Sequence, residues 1–217
     1  PEAPVPAVRF ESEQFRLGGA ANVAHNIVAL GGQVSLISVV GADASANRMR
    51  GLLIAAGIDC TGLVEDASRP TTEKVRIVTG RHQQVARIDY EDDRHIDASV
   101  ESAVLAQVDS HGVPQAILVS DYLKGVVTPG VMAKLVEASQ HGAPVLVDPK
   151  IPHLASYAGV TLITPNHHEA EAATHMRIRT DDDAREAAHD FRRRAVCDAV
   201  LITRGEQGMW LSSPQGD

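Results

Sequence analysis

Cysteine, strongly basic stretches and long apolar runs are all scarce in this sequence. Its two cysteines, Cys60 and Cys197, stand far apart without a CxxC spacing, which predicts reduced core residues in a cytoplasmic protein. No apolar run is long enough to span a membrane. The formal net charge of −8 disfavours a nucleic-acid-binding surface. The G-x-G-x-x-G fingerprint does not follow the first predicted strand, so a dinucleotide-binding oxidoreductase has little support.

What the chain does contain is typical of a globular protein. Hydrophobic residues make up 44% and charged residues 22% of the 217 positions, close to the usual values. This length is sufficient for one domain with a substantial core. We find neither an internal repeat nor a low-complexity segment.

Apolar segments rich in Val and Ile alternate with segments of helical periodicity along most of the chain. Such alternation predicts βαβ units, and therefore an α/β fold with a mainly parallel sheet flanked by helices. The predicted strands are 33–39, 58–63, 115–120, 144–148, 160–164 and 199–203. The predicted helices are 22–30, 44–56, 99–109, 129–141, 169–175 and 181–194.

Residues 73–90 interrupt this rhythm. Two segments of alternating polarity are joined by a short turn near residues 79–82, which predicts a β-hairpin. Another short alternating segment lies within about 4–11. We expect these strands to form a small sheet outside the main one, which serves as a lid over a site.

Three cations lie on the polar faces of this hairpin. Alternation places Lys74 and Arg76 on one face of the first strand, and Arg87 with Asp89 on one face of the return strand. Cations grouped in this way can hold a substrate phosphate through charge-assisted hydrogen bonds. The alternative is an exposed ribbon with solubilising charges. Asp89 is equally suited to pair with Arg87 or to contact a ligand.

The stretch LGGAANVAHNIVALGG, residues 17–32, places glycines directly before an apolar helix. Gly18 and Gly19 allow the backbone to approach a ligand closely, and the helix start offers unpaired N–H groups. Asn22 either caps that helix or directs its amide to a ligand hydroxyl. The alternative is a plain tight turn with a capped helix, because short glycine motifs also occur by chance.

Four further motifs follow the glycine-rich stretch in a characteristic order: SDYLKG at 120–125, VLVDPK at 145–150, LITPNHHEAE at 162–171 and LITRGEQGMWL at 201–211. Together they resemble the ribokinase-like carbohydrate kinases, also called the PfkB family, over nearly the whole chain. The segments PTTEKVRI, QQVARIDYE and EQGM are further similar to the D-glycero-D-manno-heptose 7-phosphate kinases. Gly205 departs from that branch, which often has Ser at this position.

This resemblance implies a ribokinase-like fold with a β-sheet lid, and a homodimer that forms through the lid strands. It implies transfer of the γ-phosphate of ATP, with Mg²⁺, to the anomeric O1 of heptose 7-phosphate, giving the 1,7-bisphosphate for ADP-heptose and lipopolysaccharide core synthesis. The small-molecule partners are then a sugar phosphate and ATP, with neither nucleic acid nor membrane. Residues 1–217 would be an incomplete kinase domain, because the family's first strand and its G-A-G-D segment, which carries the catalytic base, are not among them.

The resemblance also implies a sugar side and a nucleotide side of one site. On the sugar side it implies Gly18, Gly19, Asn22, Lys74, Arg76, Arg87, Asp121 and Lys124. Asp121 and Lys124 follow a predicted strand, at the sheet edge where ligands bind in open α/β folds. The alternative for Lys124 is a loop lysine in solvent.

On the nucleotide side the resemblance implies Lys150, Asn166, Thr203, Gly205 and Gly208. Asn166 and Glu169 are three positions apart at a helix start and are expected to organise Mg²⁺, largely through water. The same spacing is that of a capping box, and both roles can hold at once. For the glycines the alternative is an ordinary connection between two strands.

Two other functions remain open from the residues. One is another ribokinase-like kinase, for a hexose phosphate or a nucleoside. The other is a non-catalytic protein that binds a sugar phosphate or a nucleotide on the same scaffold. The hairpin cations favour a phosphorylated substrate, because an unphosphorylated sugar would not require them.

Overall fold

The computed structural model describes residues 9–81 and 83–217 and has the expected α/β class. Its strands are β1 (Ser38–Val40), β2 (Leu63–Glu65), β3 (Glu73–Val78), β4 (Gln84–Tyr90), β5 (Ile117–Ser120), β6 (Val145–Asp148), β7 (Leu162–Ile163), β8 (Ala199–Thr203) and β9 (Met209–Ser212). Its α-helices are α1 (Gly19–Ala29), α2 (Ala44–Ala55), α3 (Ala98–Ser110), α4 (Pro129–Gln140), α5 (His167–Thr174) and α6 (Asp181–Ala195). Two 3₁₀ helices are Ile151–Tyr157 and Gly205–Gln207.

The main sheet has five strands in the order β5-β6-β7-β8-β9, parallel except for β9. Its β-branched residues pack one face of the sheet against helices, and Val147, Ile163 and Val200 are fully buried there. On the opposite face Leu118 and Leu211 are about half exposed. Because β5 to β8 run in the same direction, their carboxyl ends meet at one edge, which positions the loops described below.

The first two predicted strands were misplaced. The strand predicted at 33–39 is confined to β1, and the one predicted at 58–63 is shifted to β2. The Asp59 carboxylate accepts hydrogen bonds from the backbone N–H and the hydroxyl of Thr61, so the chain turns there before it can extend. β1 and β2 pair in a separate parallel sheet.

The hairpin is confirmed as β3 and β4, an antiparallel pair that stands outside the main sheet. At its base Ser45 of α2 donates to the Glu73 carboxylate at 2.5 Å. Within the other expected lid segment, 4–11, residues 4–8 lie outside the described residues, and 9–11 form no strand.

Helix ends follow the local chemistry of the sequence. α6 begins with a capping box, in which the Thr180 side chain accepts from the Asp183 N–H and the Asp183 carboxylate from the Thr180 N–H. Acidic residues occupy its first turn and basic residues its last, as the helix dipole favours. Phe191 on its inner face is fully buried. In the described part of the chain, no helix has the length and apolarity needed to cross a membrane.

Candidate active site

The carboxyl edge of the main sheet gathers residues from both sides of the predicted site. Asp121 follows β5, Lys150 follows β6, Asn166 follows β7, and Thr203 ends β8. The four loops are neighbours because their strands are adjacent and parallel. The nucleotide-side residues and the loop after β5 are therefore brought to one edge by the fold.

Asp121 is an internal anchor of its loop. Its side chain is 1% exposed and accepts hydrogen bonds from the Leu123 N–H at 2.8 Å, the Tyr157 hydroxyl at 2.6 Å and His153 Nδ1 at 2.7 Å. Three internal donors occupy this carboxylate. The expectation that Asp121 contacts substrate directly is therefore not supported by its environment, because a buried group with these partners is not open to a ligand.

Lys74 and Lys124 meet at one carboxylate that the sequence analysis did not single out. Their ammonium groups lie 2.7 Å and 2.9 Å from the same oxygen of Glu91, and Lys74 also lies 3.1 Å from Asp89. The hydrogen bonds from Lys74 and Lys124 hold the pKa of Glu91 at about 2. The hairpin and the loop after β5, more than thirty residues apart in sequence, are thus joined at their charged ends.

Arg76 and Arg87 stand directly opposite each other on β3 and β4. Arg87 Nε lies 3.1 Å from an Asp89 carboxylate oxygen, whereas Arg76 has no ion pair among the described residues. Like charges directly opposite each other on neighbouring strands destabilise the pairing. An anion bound between the two guanidinium groups would relieve that repulsion.

The glycine-rich turn leads into α1 without a side-chain cap. Gly18 is the N-cap residue, and Gly19 adopts a φ of +52°, in the left-handed region that favours glycine. A Cβ at Gly19 would lie 3.7 Å from the Tyr122 ring, so the turn adjoins the loop after β5. Asn22 is exposed, and its side chain makes no hydrogen bond within the described part of the chain. The capping alternative for Asn22 is therefore wrong.

Asn166 and Glu169 form the capping box that their spacing allows. The Asn166 side chain accepts from the Glu169 N–H, and the Glu169 carboxylate accepts from the Asn166 N–H, both at 3.0 Å. The other Glu169 oxygen lies 2.5 Å from Lys150 Nζ. Burial alone would lower the pKa of Lys150, but the bond to Glu169 and the nearby carboxylates outweigh it and leave that pKa raised.

These contacts limit how Asn166 and Glu169 can hold Mg²⁺. Direct ligation by Glu169 would require it to release Lys150 or the start of α5. Mg²⁺ usually keeps several of its waters, and a hydrated ion needs no such release. The pair therefore fits an ion held through water. Within 9–81 and 83–217, no three His, Cys, Asp or Glu side chains are grouped as metal ligands.

Asp148, at the end of β6, adds a second carboxylate beside Lys150. Burial raises the pKa of Asp148, and the Lys150 ammonium only partly opposes this effect. The backbone carbonyl of Asp148 accepts from the Asp121 N–H at 3.1 Å, which links the ends of β5 and β6.

The connection from β8 to β9 is built around glycines with positive φ. Gly205 has a φ of +60° and Gly208 a φ of +77°, so a tight turn forms between the strands. The Thr203 N–H donates to the Pro165 carbonyl at 2.9 Å, which places Thr203 beside Asn166. Arg204 is buried and its guanidinium lies 2.7 Å from Asp181, which fixes the turn against the start of α6.

Sequence reasoning also missed Arg69, which joins three loops. Its guanidinium pairs with Asp66 at 2.8 Å and donates to the backbone carbonyls of Lys124 and Arg94, both at 3.1 Å. Gly125, with a φ of +76°, packs so closely that an added Cβ would lie 1.8 Å from the Arg94 carbonyl oxygen. Lys124 and Arg94 lie 55 and 25 positions from Arg69, so no local sequence signal marks these contacts.

The sequence pattern of the pfkB family carbohydrate kinases matches residues 2–217. This chain belongs to that family. This chain is 43% identical over 218 residues to the bifunctional protein HldE of Geotalea uraniireducens, and the match covers 100% of this chain and 44% of that protein. It is 44% identical over 218 residues to the D-beta-D-heptose 7-phosphate kinase of Bordetella bronchiseptica, covering 100% of this chain and 67% of that kinase. The chain thus spans less than half the length of HldE.

Solved structures of pfkB kinases show the same fold. Escherichia coli phosphofructokinase-2 in complex with fructose-6-phosphate superimposes with a TM-score of 0.80 at 20% identity, over 99% of this chain and 71% of that one. A PfkB protein from Polaromonas sp. JS666 superimposes with a TM-score of 0.68 at 17% identity, over 99% and 76%. The ribokinase-like α/β fold expected from the motifs is therefore confirmed.

Proposed function

We propose that this protein is an ATP-dependent kinase of a phosphorylated sugar, and that the sugar is D-glycero-D-manno-heptose 7-phosphate. The reaction places a phosphoryl group on the anomeric O1 and yields the 1,7-bisphosphate, a step in ADP-heptose and lipopolysaccharide core synthesis. The name of the Bordetella relative, D-beta-D-heptose 7-phosphate kinase, supports the substrate class, since that kinase is 44% identical over 100% of this chain.

The observation that carries this proposal is the facing pair Arg76 and Arg87 on the hairpin. The phosphate already on the sugar would bind between the two guanidinium groups, which match phosphate geometry and lack a shared counter-ion among the described residues. Lys74 and Lys124, through their shared partner Glu91, connect this pair of arginines to the loop after β5. The sugar would then contact the turn of Gly18 and Gly19, and the side chain of Asn22.

The chemistry requires alignment more than covalent work by the protein. The O1 oxygen attacks the γ-phosphorus of ATP while the bond to the oxygen bridging the β- and γ-phosphorus breaks, and ADP leaves. The proton of O1 would go to the aspartate of a G-A-G-D segment, the base that the family resemblance implies and that is not among residues 1–217. Lys74, Arg76 and Arg87 would hold the far phosphate, so that O1 faces the nucleotide.

On the nucleotide side we propose that Lys150, Thr203, Gly205 and Gly208 bind ATP. Lys150 carries a charge suited to the phosphates, and the two glycines leave their backbone open to the nucleotide. Mg²⁺, held through water by Asn166 and Glu169, would neutralise phosphate charge when bound.

The test compares phosphate acceptors and hairpin variants in the full-length protein. ATP consumption with Mg²⁺ is measured with heptose 7-phosphate, fructose 6-phosphate and ribose. We expect strong preference for the heptose, and we expect Arg76→Ala to raise the KM for it with little change in kcat. Arg81→Ala is the matched control, because it removes the same charge from the turn of the same hairpin. Activity on ribose that is indifferent to Arg76 would refute a phosphorylated substrate.

We further propose a cytoplasmic homodimer that forms through the hairpin. Opposite its cations, the hairpin presents an apolar face on which Ile88 is 43% and Tyr90 51% exposed. A second copy of the chain would cover that face. Light scattering on Ile88→Lys tests this: the dimer is expected to become a monomer, and an unchanged dimer would place the interface elsewhere.

A further inference from the structure

The side chain of Tyr157 joins the two loops that carry the candidate substrate groups. Tyr157 ends the 3₁₀ helix Ile151–Tyr157 and is fully buried. Its hydroxyl donates to Asp121 at 2.6 Å and accepts from the Lys150 N–H at 3.1 Å. One phenol oxygen therefore contacts the loop after β5, on the sugar side, and the loop after β6, on the nucleotide side.

His153, from the same 3₁₀ helix, completes the arrangement. Its Nδ1 lies 2.7 Å from the same Asp121 oxygen that receives the Tyr157 hydroxyl. Because a carboxylate accepts hydrogen bonds, Nδ1 must carry the proton in this contact. The His95 ring stacks on the His153 ring, with centroids 5.9 Å apart. The other Asp121 oxygen accepts from the Leu123 N–H, so the carboxylate fixes the backbone just before Lys124.

We infer that Tyr157 and His153 are positioning residues, which act through Asp121 to hold Lys124 and through the Lys150 backbone to hold the nucleotide-side loop. Neither residue needs to touch a substrate. The burial of Tyr157 and Asp121 keeps water from replacing these bonds. This inference rests on the proposed function, because it assigns the two loops to the two substrates.

The experiment removes single polar groups while it keeps side-chain shape. Tyr157→Phe deletes only the hydroxyl, and His153→Leu removes the second donor. His153→Asn retains an N–H near the position of Nδ1 and serves as the conservative rescue. Thr174→Val is the matched control: it deletes a buried hydroxyl that bonds to the Ala170 carbonyl at the far end of α5.

Two readouts are taken on the full-length protein. Amide hydrogen exchange reports the loops without substrate, and we expect faster exchange at Leu123 and Lys150 in Tyr157→Phe but not in Thr174→Val. Steady-state kinetics should show the KM for both substrates raised about tenfold or more in Tyr157→Phe, since small misplacements of binding groups are costly. His153→Leu should raise the sugar-phosphate KM, and His153→Asn should restore it.

The outcomes separate this inference from the proposed function. Unchanged exchange at both amides in Tyr157→Phe, or equal kinetic losses in Tyr157→Phe and Thr174→Val, would overturn the positioning role. If the wild type does not phosphorylate heptose 7-phosphate, the proposed function fails, while amide exchange still decides whether Tyr157 holds the two loops.

Discussion

Replacing Gly125 with Ala tests the contact that brings the loop after β5 against the chain leaving the hairpin. Gly125 has a φ of +76°, and an added Cβ would lie 1.8 Å from the Arg94 carbonyl oxygen and 2.9 Å from His95 Cα. Contacts this short do not occur, so the backbone must shift by more than about 1 Å, a displacement large enough to impair function. That shift would disturb the hydrogen bond from the Ile96 N–H to the Gly125 carbonyl, now 3.1 Å.

The loss of unfolding free energy expected in Gly125→Ala has a conformational part and a steric part. A left-handed conformation costs a residue with a Cβ about 1–2 kcal/mol. Overpacking adds about 1–3 kcal/mol. Gly112→Ala isolates the first part, because Gly112 has a φ of +68° and no atom within 4 Å of an added Cβ. We therefore expect Gly125→Ala to lower the free energy of unfolding by about 1–3 kcal/mol more than Gly112→Ala does.

The assay is urea unfolding of the two variants and the wild type, followed by steady-state kinetics. Gly125→Ala should also raise the sugar-phosphate KM, because Lys124 is the preceding residue, whereas Gly112→Ala should leave KM unchanged. Equal losses of stability in the two variants, within about 0.5 kcal/mol, would refute the close packing of Gly125 against Arg94.

Three other predictions follow from single residues. Burial raises the pKa of Asp148 above its value of 3.8 in the unfolded chain. The protonated carboxyl therefore stabilises the fold fully below pH 3.8, and this contribution is lost as pH rises through the folded pKa. Asp148→Asn should raise the melting temperature at neutral pH, and this gain should shrink towards pH 3.8. A constant gain would argue against a titration effect. Phe191→Ala should lower the free energy of unfolding by about 3–5 kcal/mol in urea titrations, since the side chain is fully buried, and a loss below about 1 kcal/mol would contradict that packing. Arg69→Met removes the donors to the backbone carbonyls of Lys124 and Arg94. Steady-state kinetics should therefore show the KM for the sugar phosphate raised more than the KM for ATP. Equal changes in the two KM values would contradict a role of Arg69 in holding the loop that carries Lys124.

Much of the fold could be predicted from local patterns. The strands β5, β6 and β8 are short runs of Val, Ile and Leu bounded by turn residues, and the helices match the expected ones to within a few residues at their ends. The position of each of these strands and helices depends on residues only a few positions away in the sequence. β2 was misplaced because the turn before it is fixed by side-chain hydrogen bonds of Asp59 and Thr61, which periodicity does not register.

The candidate site could be predicted only in part. The spacing of Asn166 and Glu169 predicted a capping box, which is present, whereas the metal-organising role was implied by the family resemblance. The bond from Lys150 to Glu169 was not predicted, because the two residues lie on different loops. Asp121 was expected to contact substrate, yet it is buried among donors from a 3₁₀ helix about thirty residues further along the chain.

By itself the sequence determined the family, the α/β class, most element positions and the chemical types available at the site. These properties depend on residue order and on contacts within a few positions. The tertiary structure alone decided that Glu91 joins Lys74 to Lys124, that Arg76 faces Arg87, and that Tyr157 links two loops. Such contacts depend on strand register and on the packing of distant segments, because the side chains meet only after the sheet has formed.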